Sequence, residues 1–245
     1  MSICKYCGEE KDLKKSHIIP RSFYFDYKKE PYRSYDINDK SWKICQNGVW
    51  DENILCSFCE SKISQFDTEA YRVLFLERNK HKKEINTKSC IYLYTKEEFN
   101  YEKLRKFFIS LVWRASITHK KEFEEVFLGK YENIALKIIK NEIEDDLKLF
   151  KTKVFKEPDN KQFNKGVFIK RIKKKNKIGY RFFFAPFVVE IMTTTKNINL
   201  QEYSKYEIGA LNREEFVIIE DDSIYQNKIE LLQKAIKIHK EPIRP

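Results

Sequence analysis

The sequence is poor in the residues that punctuate and link a chain: six glycines and six prolines in 245 positions. No stretch reads as a Gly/Ser- or Pro-rich linker, and no segment repeats, which sets aside repeat arrays and tethered modules. No basic-apolar-small leader opens the chain. Long apolar runs are missing too. The longest, Phe182–Met192, contains Pro186 and Glu190 and is too short to span a bilayer. A cytoplasmic protein is therefore expected. Disorder is excluded by a composition with 42% hydrophobic, 15% aromatic and 35% charged residues. A chain of 245 residues buries a proper core, as one large domain or two small ones.

Charge is present and unevenly placed. Of a formal net +11, the stretch 151–180 contributes +9, with eleven Lys/Arg against Glu157 and Asp159. A concentrated basic segment favours a polyanionic partner, most often nucleic acid. Within it, "GVFIKRIKKKNKIGYRFFFAPFVVEIMTTT" reads as a β-hairpin over about 166–194 that turns near Asn176–Gly179. Lys170, Arg171, Lys173, Lys174, Lys175 and Lys177 are its phosphate-contacting candidates, since lysines on a two-stranded ribbon can track a backbone without reading bases.

Six cysteines occur, four of them as two Cys-x-x-Cys pairs, Cys4/Cys7 and Cys56/Cys59. In a chain without an export signal this spacing points to zinc rather than disulfides. Two pairs supply four thiolates to one tetrahedral ion, a closed site that stabilises a fold. Gly8 follows Cys7, where a tight knuckle needs permissive dihedrals. Cys45 and Cys90 are left over as small buried or idle thiols.

Apolar periodicity predicts a helix from about Asn53 to Asn79, carrying Ile54/Leu55, Phe58, Ile63, Phe66, Ala70 and Val73/Leu74, with Asp51 or Asn53 near its N-cap. A strand is expected at Cys90–Thr95, then an apolar helix from Lys96 to Thr118 and another from Tyr131 to Leu149 with Ile134, Ile138 and Ile143 on one side. Glu215–Asp221 reads as a strand and Ser223–His239 as a closing amphipathic helix. The expected fold class is α+β: a metal-bound N-terminal module over 1–80, then a mixed helix and antiparallel-strand domain over 90–245 whose role the sequence does not give.

The arrangement "CKYCGEEKDLKKSHIIPRSF … NGVWDENILCSFCESK" resembles the zinc-containing HNH endonucleases of the ββα-metal fold, over roughly residues 1–75. In that family a Cys-x-x-Cys precedes a short strand with a His-Ile-Ile-Pro-like motif, and a second Cys-x-x-Cys opens a helix. The resemblance implies that His17 is the general base for the water that attacks a phosphodiester, a role suited to imidazole because its pKa lies near working pH. It implies a catalytic divalent ion, Mg²⁺ or Mn²⁺, with Glu60 in the ligand position that usually holds His or Asn. The middle Asn has three competing positions, Asn47, Asp51 and Asn53, with Asn47 and Asn53 favoured. The implied function is a metal-dependent endonuclease cutting nucleic acid, DNA by preference. "SHIIP" and "LVWRAS" are also similar to small bacterial HNH proteins associated with phage defence, where a regulatory protein partner or a homo-oligomer is expected.

Ser16 departs from the pattern, standing where the family often has a metal-binding Asp. The alternative expectation is therefore a catalytically inactive zinc-stabilised module that binds nucleic acid or protein. Further along the helix, Asp67 shares a face with Glu60 but lies about 10 Å away at ~1.5 Å per residue. Asp67 could supply the missing ligand through a bridging water or an off-axis ion, and a solvated helix face is the competing reading for Asp67 and Glu69. His81 sits in a charged, exposed segment, while His119 and His239 each suit a helix C-terminus. Trp113 reads as core, and Arg114 as half of a buried pair or a phosphate contact.

Overall fold

In the computed structural model a layer of helices lies on a nine-stranded mixed sheet, and a small cysteine-bearing unit packs against the central helix. The structure describes residues 2–24, 32–36, 41–45, 48–86, 89–145, 149–157, 166–174, 177–184, 186–193, 213 and 215–220. At 32–36, 41–45, 83–86, 89–90, 166–168, 174 and 177 it describes the backbone alone. The strands are β1 (Ser2–Ile3), β2 (Glu10–Lys11), β3 (Leu13–His17), β4 (Tyr32–Asp36), β5 (Ser41–Cys45), β6 (Trp50–Cys56), β7 (Lys82–Asn86), β8 (Ser89–Thr95), β9 (Lys151–Lys156), β10 (Gly166–Lys174), β11 (Lys177–Phe184), β12 (Phe187–Met192) and β13 (Glu215–Glu220). The α-helices are α1 (Ser57–Tyr71), α2 (Tyr101–Ile117) and α3 (Tyr131–Ile139).

The chain is α+β as its sequence suggests. The large sheet runs β5-β4-β10-β11-β12-β9-β13-β8-β7, parallel only at β4/β10 and β9/β13. Strands β4 and β5, from the region between the two cysteine pairs, form one end of it. Among the described residues no helix is long and apolar enough to cross a membrane.

The first helix starts later than its periodicity suggests. Ile54, Leu55 and Cys56 are all buried, but they lie in β6, which pairs antiparallel with β3, so Asn53 is a strand residue and caps nothing. An apolar doublet fits a buried strand as well as a helix face, and the tertiary pairing decides between them. Cys56, in extended conformation, is the N-cap of α1. Phe58 does not join the core: it is 60% exposed, with the Lys62 ammonium 4.5 Å from its ring centre. Beyond Tyr71 a π-turn over Arg72–Leu76 adds one residue to the winding, and Val73, Leu74 and Phe75 are buried in succession.

Helix α2 is largely apolar from Leu104 to Ala115 and is correspondingly buried there, packed between α1 and α3 above the sheet, with Arg105 and Arg114 as its buried charges. It begins at Tyr101 rather than Lys96, because the Asn100 side chain caps it by accepting from the Lys103 N–H (3.0 Å). Phe23, in the turn after Pro20, has ring neighbours in Tyr71, Phe75, Phe107 and Phe184, at centroid distances of 5.0–6.1 Å. That cluster joins the cysteine-bearing unit, α2 and the sheet into one core.

Helix α3 ends at Ile139, ten residues short of expectation. Asn141 takes φ 60°, and the Glu142 N–H reaches the Lys137 carbonyl (2.8 Å) while the Asn141 N–H reaches Ile138 (3.1 Å). This pair of bonds is a Schellman stop, and it leaves Ile143 40% exposed. In the basic hairpin the closing pair is Lys174↔Lys177, so the turn precedes the expected Asn176–Gly179. Gly179 lies inside β11, where a Cβ would come within 2.8 Å of the Ile191 carbonyl oxygen. Lys175, the predicted helix Ser223–His239 with His239, and the side chains of Cys45, Cys90, Lys174 and Lys177 lie outside the described residues.

Candidate metal centre and the His17 site

Two short structures bring the cysteines together. The first pair sits on the turn between β1 and β2, closed by Cys4 N–H to Glu9 (2.9 Å) and Gly8 N–H to Cys4 (2.8 Å), with Gly8 at φ +77°. The second pair spans the end of β6 and the first turn of α1. Lys5 N–H to the Ile54 carbonyl (2.8 Å) ties the turn to β6. The Sγ atoms of Cys4, Cys7, Cys56 and Cys59 all lie within 4.8 Å of one another.

Four cysteines so placed could bind a metal ion such as zinc. A tetrahedral ion with Zn–S of about 2.3 Å needs sulfurs roughly 3.8 Å apart, within the spacing found. The electrostatics also favour a cation. Burial opposes ionisation of Cys4, yet hydrogen bonds from the backbone of Cys7, Cys56 and Tyr6 bring it down to about 7, with the Cys56 N–H on its sulfur at 3.4 Å. Burial and the neighbouring thiols push Cys59 up. Crowded thiols resist ionising together, and a divalent ion removes that conflict.

His17 ends β3 opposite Trp50 and is half-buried. Ser16 points inward and is fully buried. Its hydroxyl donates to the Lys14 carbonyl (3.3 Å) and hydrogen bonds with the Glu60 carboxylate. Glu60 stands on the first turn of α1, directly after the last cysteine. Burial pushes its carboxyl above the ordinary value, against the Ser16 bond and the Arg114 charge, and the nearby Asp67 carboxylate raises it further. Among the described residues nothing donates a hydrogen bond to the buried Oε2 of Glu60.

Neither Asp67 nor Glu69 lies on a solvated face. Arg114 holds both Asp67 oxygens, Nη1–Oδ2 at 3.0 Å and Nη2–Oδ1 at 2.8 Å, and its Nη1 also donates to the His17 carbonyl at 3.0 Å. Burial raises the Asp67 carboxyl, opposed by Arg114 and by the His17 ring. Glu69 accepts two bonds from Arg72 (3.1 and 2.7 Å) and one from the Asn100 N–H (2.7 Å). Sequence reasoning missed the convergence of Ser16, Glu60, Asp67 and Arg114. The available signal was an arginine inside an otherwise apolar helix, which requires a buried partner.

Of the middle-Asn candidates, Asn47 lies outside the described residues. Asn53 is exposed where β6 bulges, four of its residues spanning two of β3, and its N–H donates to Asp51 Oδ1 (2.9 Å). Asp51 is the buried one of the three, facing Ser16 and accepting from the Thr118 hydroxyl at the end of α2 (2.6 Å). Burial opposes its ionisation, but Thr118, the Asn53 and His119 N–H groups and Lys120 outweigh it and hold the carboxyl below the usual range. A depressed carboxylate stabilises the fold above the unfolded pKa, near 3.8, and that stability is lost as pH falls through the folded value. Asp51→Asn is therefore expected to lower stability by about 1.5–3 kcal/mol at pH 7. The gap to wild type should close below about pH 4 in urea titrations across pH.

Beside His17, the Trp50 ring carries two ammonium groups, Lys15 at 4.2 Å and Lys120 at 5.3 Å from its centroid. In the basic hairpin, Arg171 and Lys173 are exposed. Lys170 is half-buried, cross-strand from Arg181, which pairs with buried Glu190 (3.0 Å). His81 is not exposed as its charged segment suggests. Its side chain is 10% exposed, stacked on Tyr94 (4.1 Å), with Nδ1 3.3 Å from Glu98. His119 is exposed two residues beyond the end of α2. Trp113 is core, edge-on to Tyr6. No protein-family model, no curated protein and no solved structure matches the chain.

Proposed function

We propose that this protein is a metal-dependent HNH-type endonuclease that hydrolyses phosphodiester bonds in nucleic acid, DNA by preference. The observation that carries this reading is the placement of Glu60. It follows the last of the clustered cysteines on the first turn of α1, in hydrogen-bond contact with Ser16 next to His17 on β3, and its buried Oε2 lacks a partner among the described residues. An antiparallel strand pair, a helix and a cysteine cluster support a ββα-metal module. The donor chemistry fits Mg²⁺ or Mn²⁺, which take hard oxygens and are commonly held by one or two carboxylates plus substrate phosphate. Glu60 would hold that ion. Both oxygens of Asp67 already carry a bond from Arg114, whereas the buried Oε2 of Glu60 carries none among the described residues, which favours Glu60 as the ligand.

When bound, the ion neutralises charge on the scissile phosphate and the departing oxygen. The chain's own part is proton transfer and positioning. His17 takes the proton from the attacking water, with its carbonyl fixed by Arg114. Lys15, in the middle of β3, and Lys120, in the loop after α2, both lie over the Trp50 ring and supply cations for the phosphates next to His17. Arg171 and Lys173 extend that reach along the backbone. Such contacts predict affinity that falls steeply with salt.

One observation favours the second reading, a catalytically inactive zinc-stabilised binding module. Ser16, in place of a carboxylate, is buried and engaged with Lys14 and Glu60. Plasmid cleavage with Mg²⁺ or Mn²⁺ separates the two. His17→Ala is expected to lose about 10²–10⁴-fold in rate, the usual contribution of a general base. Equal cutting by wild type and variant, or none by either across metals and substrates, overturns the nuclease reading.

A further inference from the structure

The C-terminal end of α2 sends two polar side chains, four residues apart, to the β3–β6 pair. Arg114 binds Asp67 and the His17 carbonyl, with its Nε–H on the Ser110 main-chain carbonyl of its own helix (3.3 Å), and the C-cap Thr118 binds Asp51 opposite Ser16. The Arg114 side chain is fully buried. Its guanidinium bonds the main chain of His17, the helix that bears Glu60, and α2 at once. A planar fork with five fixed donors can make these bonds together, whereas an ammonium cannot.

We infer that Arg114 is a positioning residue for His17: α2 sets the orientation of the imidazole against Glu60, and residues 1–80 do not complete the site alone. This rests on the nuclease reading for its catalytic meaning, but not for its geometry. His17 is the last residue of β3, paired with Trp50, and beyond it the Ile18 N–H still reaches the Val49 carbonyl (3.1 Å), so both bonds hold it from the β6 side. The Arg114 bond to its carbonyl supplies the restraint from α2. The same cation lies beside the Glu60 and Asp67 carboxylates and offsets their combined charge where an anionic substrate must approach.

The test uses full-length Arg114→Gln and Arg114→Lys, with zinc content and far-UV circular dichroism as checks of the fold. Should both fail to fold, Arg114→Met combined with Asp67→Leu leaves no buried charge behind and serves in their place. The first readout is the His17 ring signal in metal-ion-free, zinc-loaded protein, followed by NMR with labelled histidine and assigned by His17→Ala. The expected result is a displaced His17 signal while those of His81 and His119 stay in place. The second readout is cleavage, where kcat should fall about 10–100-fold with KM changed less than about threefold, as for a misplaced reacting group. A folded, zinc-loaded variant with an unmoved His17 signal overturns the inference, whatever its activity. A displaced signal in a protein whose wild type cuts nothing sustains the inference and removes the nuclease reading instead.

Discussion

Removing the metal from the zinc-loaded protein is expected to melt the N-terminal unit, and to do so before the large sheet is lost. Strands β1 and β2 are two residues each, and β3 with β6 forms a separate two-stranded ladder. Isolated ladders of this size are marginal in water. What closes the unit is the crossing of the two cysteine pairs, 49 residues apart from Cys7 to Cys56. Zinc bound by four thiolates contributes about 10–16 kcal/mol in small zinc domains, against about 5–15 kcal/mol for a whole domain's stability. A strong chelator, or Cys56→Ser, should therefore abolish the β3–β6 pairing and expose Ile18, Ile19, Ile54 and Leu55, all buried now. Hydrogen exchange should show deprotection concentrated in residues 2–24 and 48–60, with metal analysis near one zinc per chain beforehand. An unchanged melt in metal-free protein would mean that the cysteines pack as thiols and bind nothing.

The parts of this architecture that sequence foretold are those written in short-range spacing. Two Cys-x-x-Cys pairs predicted a four-sulfur cluster, and β8, β13 and α2 follow directly from their apolar runs. Boundaries decided by distant contacts were less legible. Ile54–Leu55 reads as a helical doublet until β3 is laid beside it, and the one local mark of the stop of α3 is Asn141 itself, a residue type that tolerates the left-handed conformation, set against apolar spacing that continues to Ile143. The candidate site divides the same way. His17 and Glu60 were found from their places relative to the cysteines. For Asp67 the spacing leaves a distant ligand and a solvated acid both open, because its partner lies 47 residues away on α2, beyond any periodicity argument. His81 was assigned to the surface because its neighbours are charged, although Tyr94 and Glu98 enclose it.

The Asp67–Arg114 pair yields the second large effect, and it separates holding the fold from serving the site. Asp67→Ala leaves a fully buried guanidinium with only carbonyl partners, and breaking a buried pair in this way costs about 3–5 kcal/mol. Arg114→Ala strands the Asp67 carboxylate, whose side chain is only 16% exposed, at a similar cost. The double variant Arg114→Met/Asp67→Leu removes both charges and refills the volume. Such replacements are neutral or stabilising by about 1–4 kcal/mol, so it should melt at or above wild type. Urea titration of the four proteins gives the coupling energy as the non-additive part of the cycle. On the proposed nuclease reading, stability and cleavage should then part company. Methionine has no donor for the His17 carbonyl, so the double variant is expected to recover its fold and to cleave more slowly than wild type. If it regains wild-type kcat, Arg114 serves only to neutralise Asp67, and the orientation of His17 comes from the β3–β6 ladder alone.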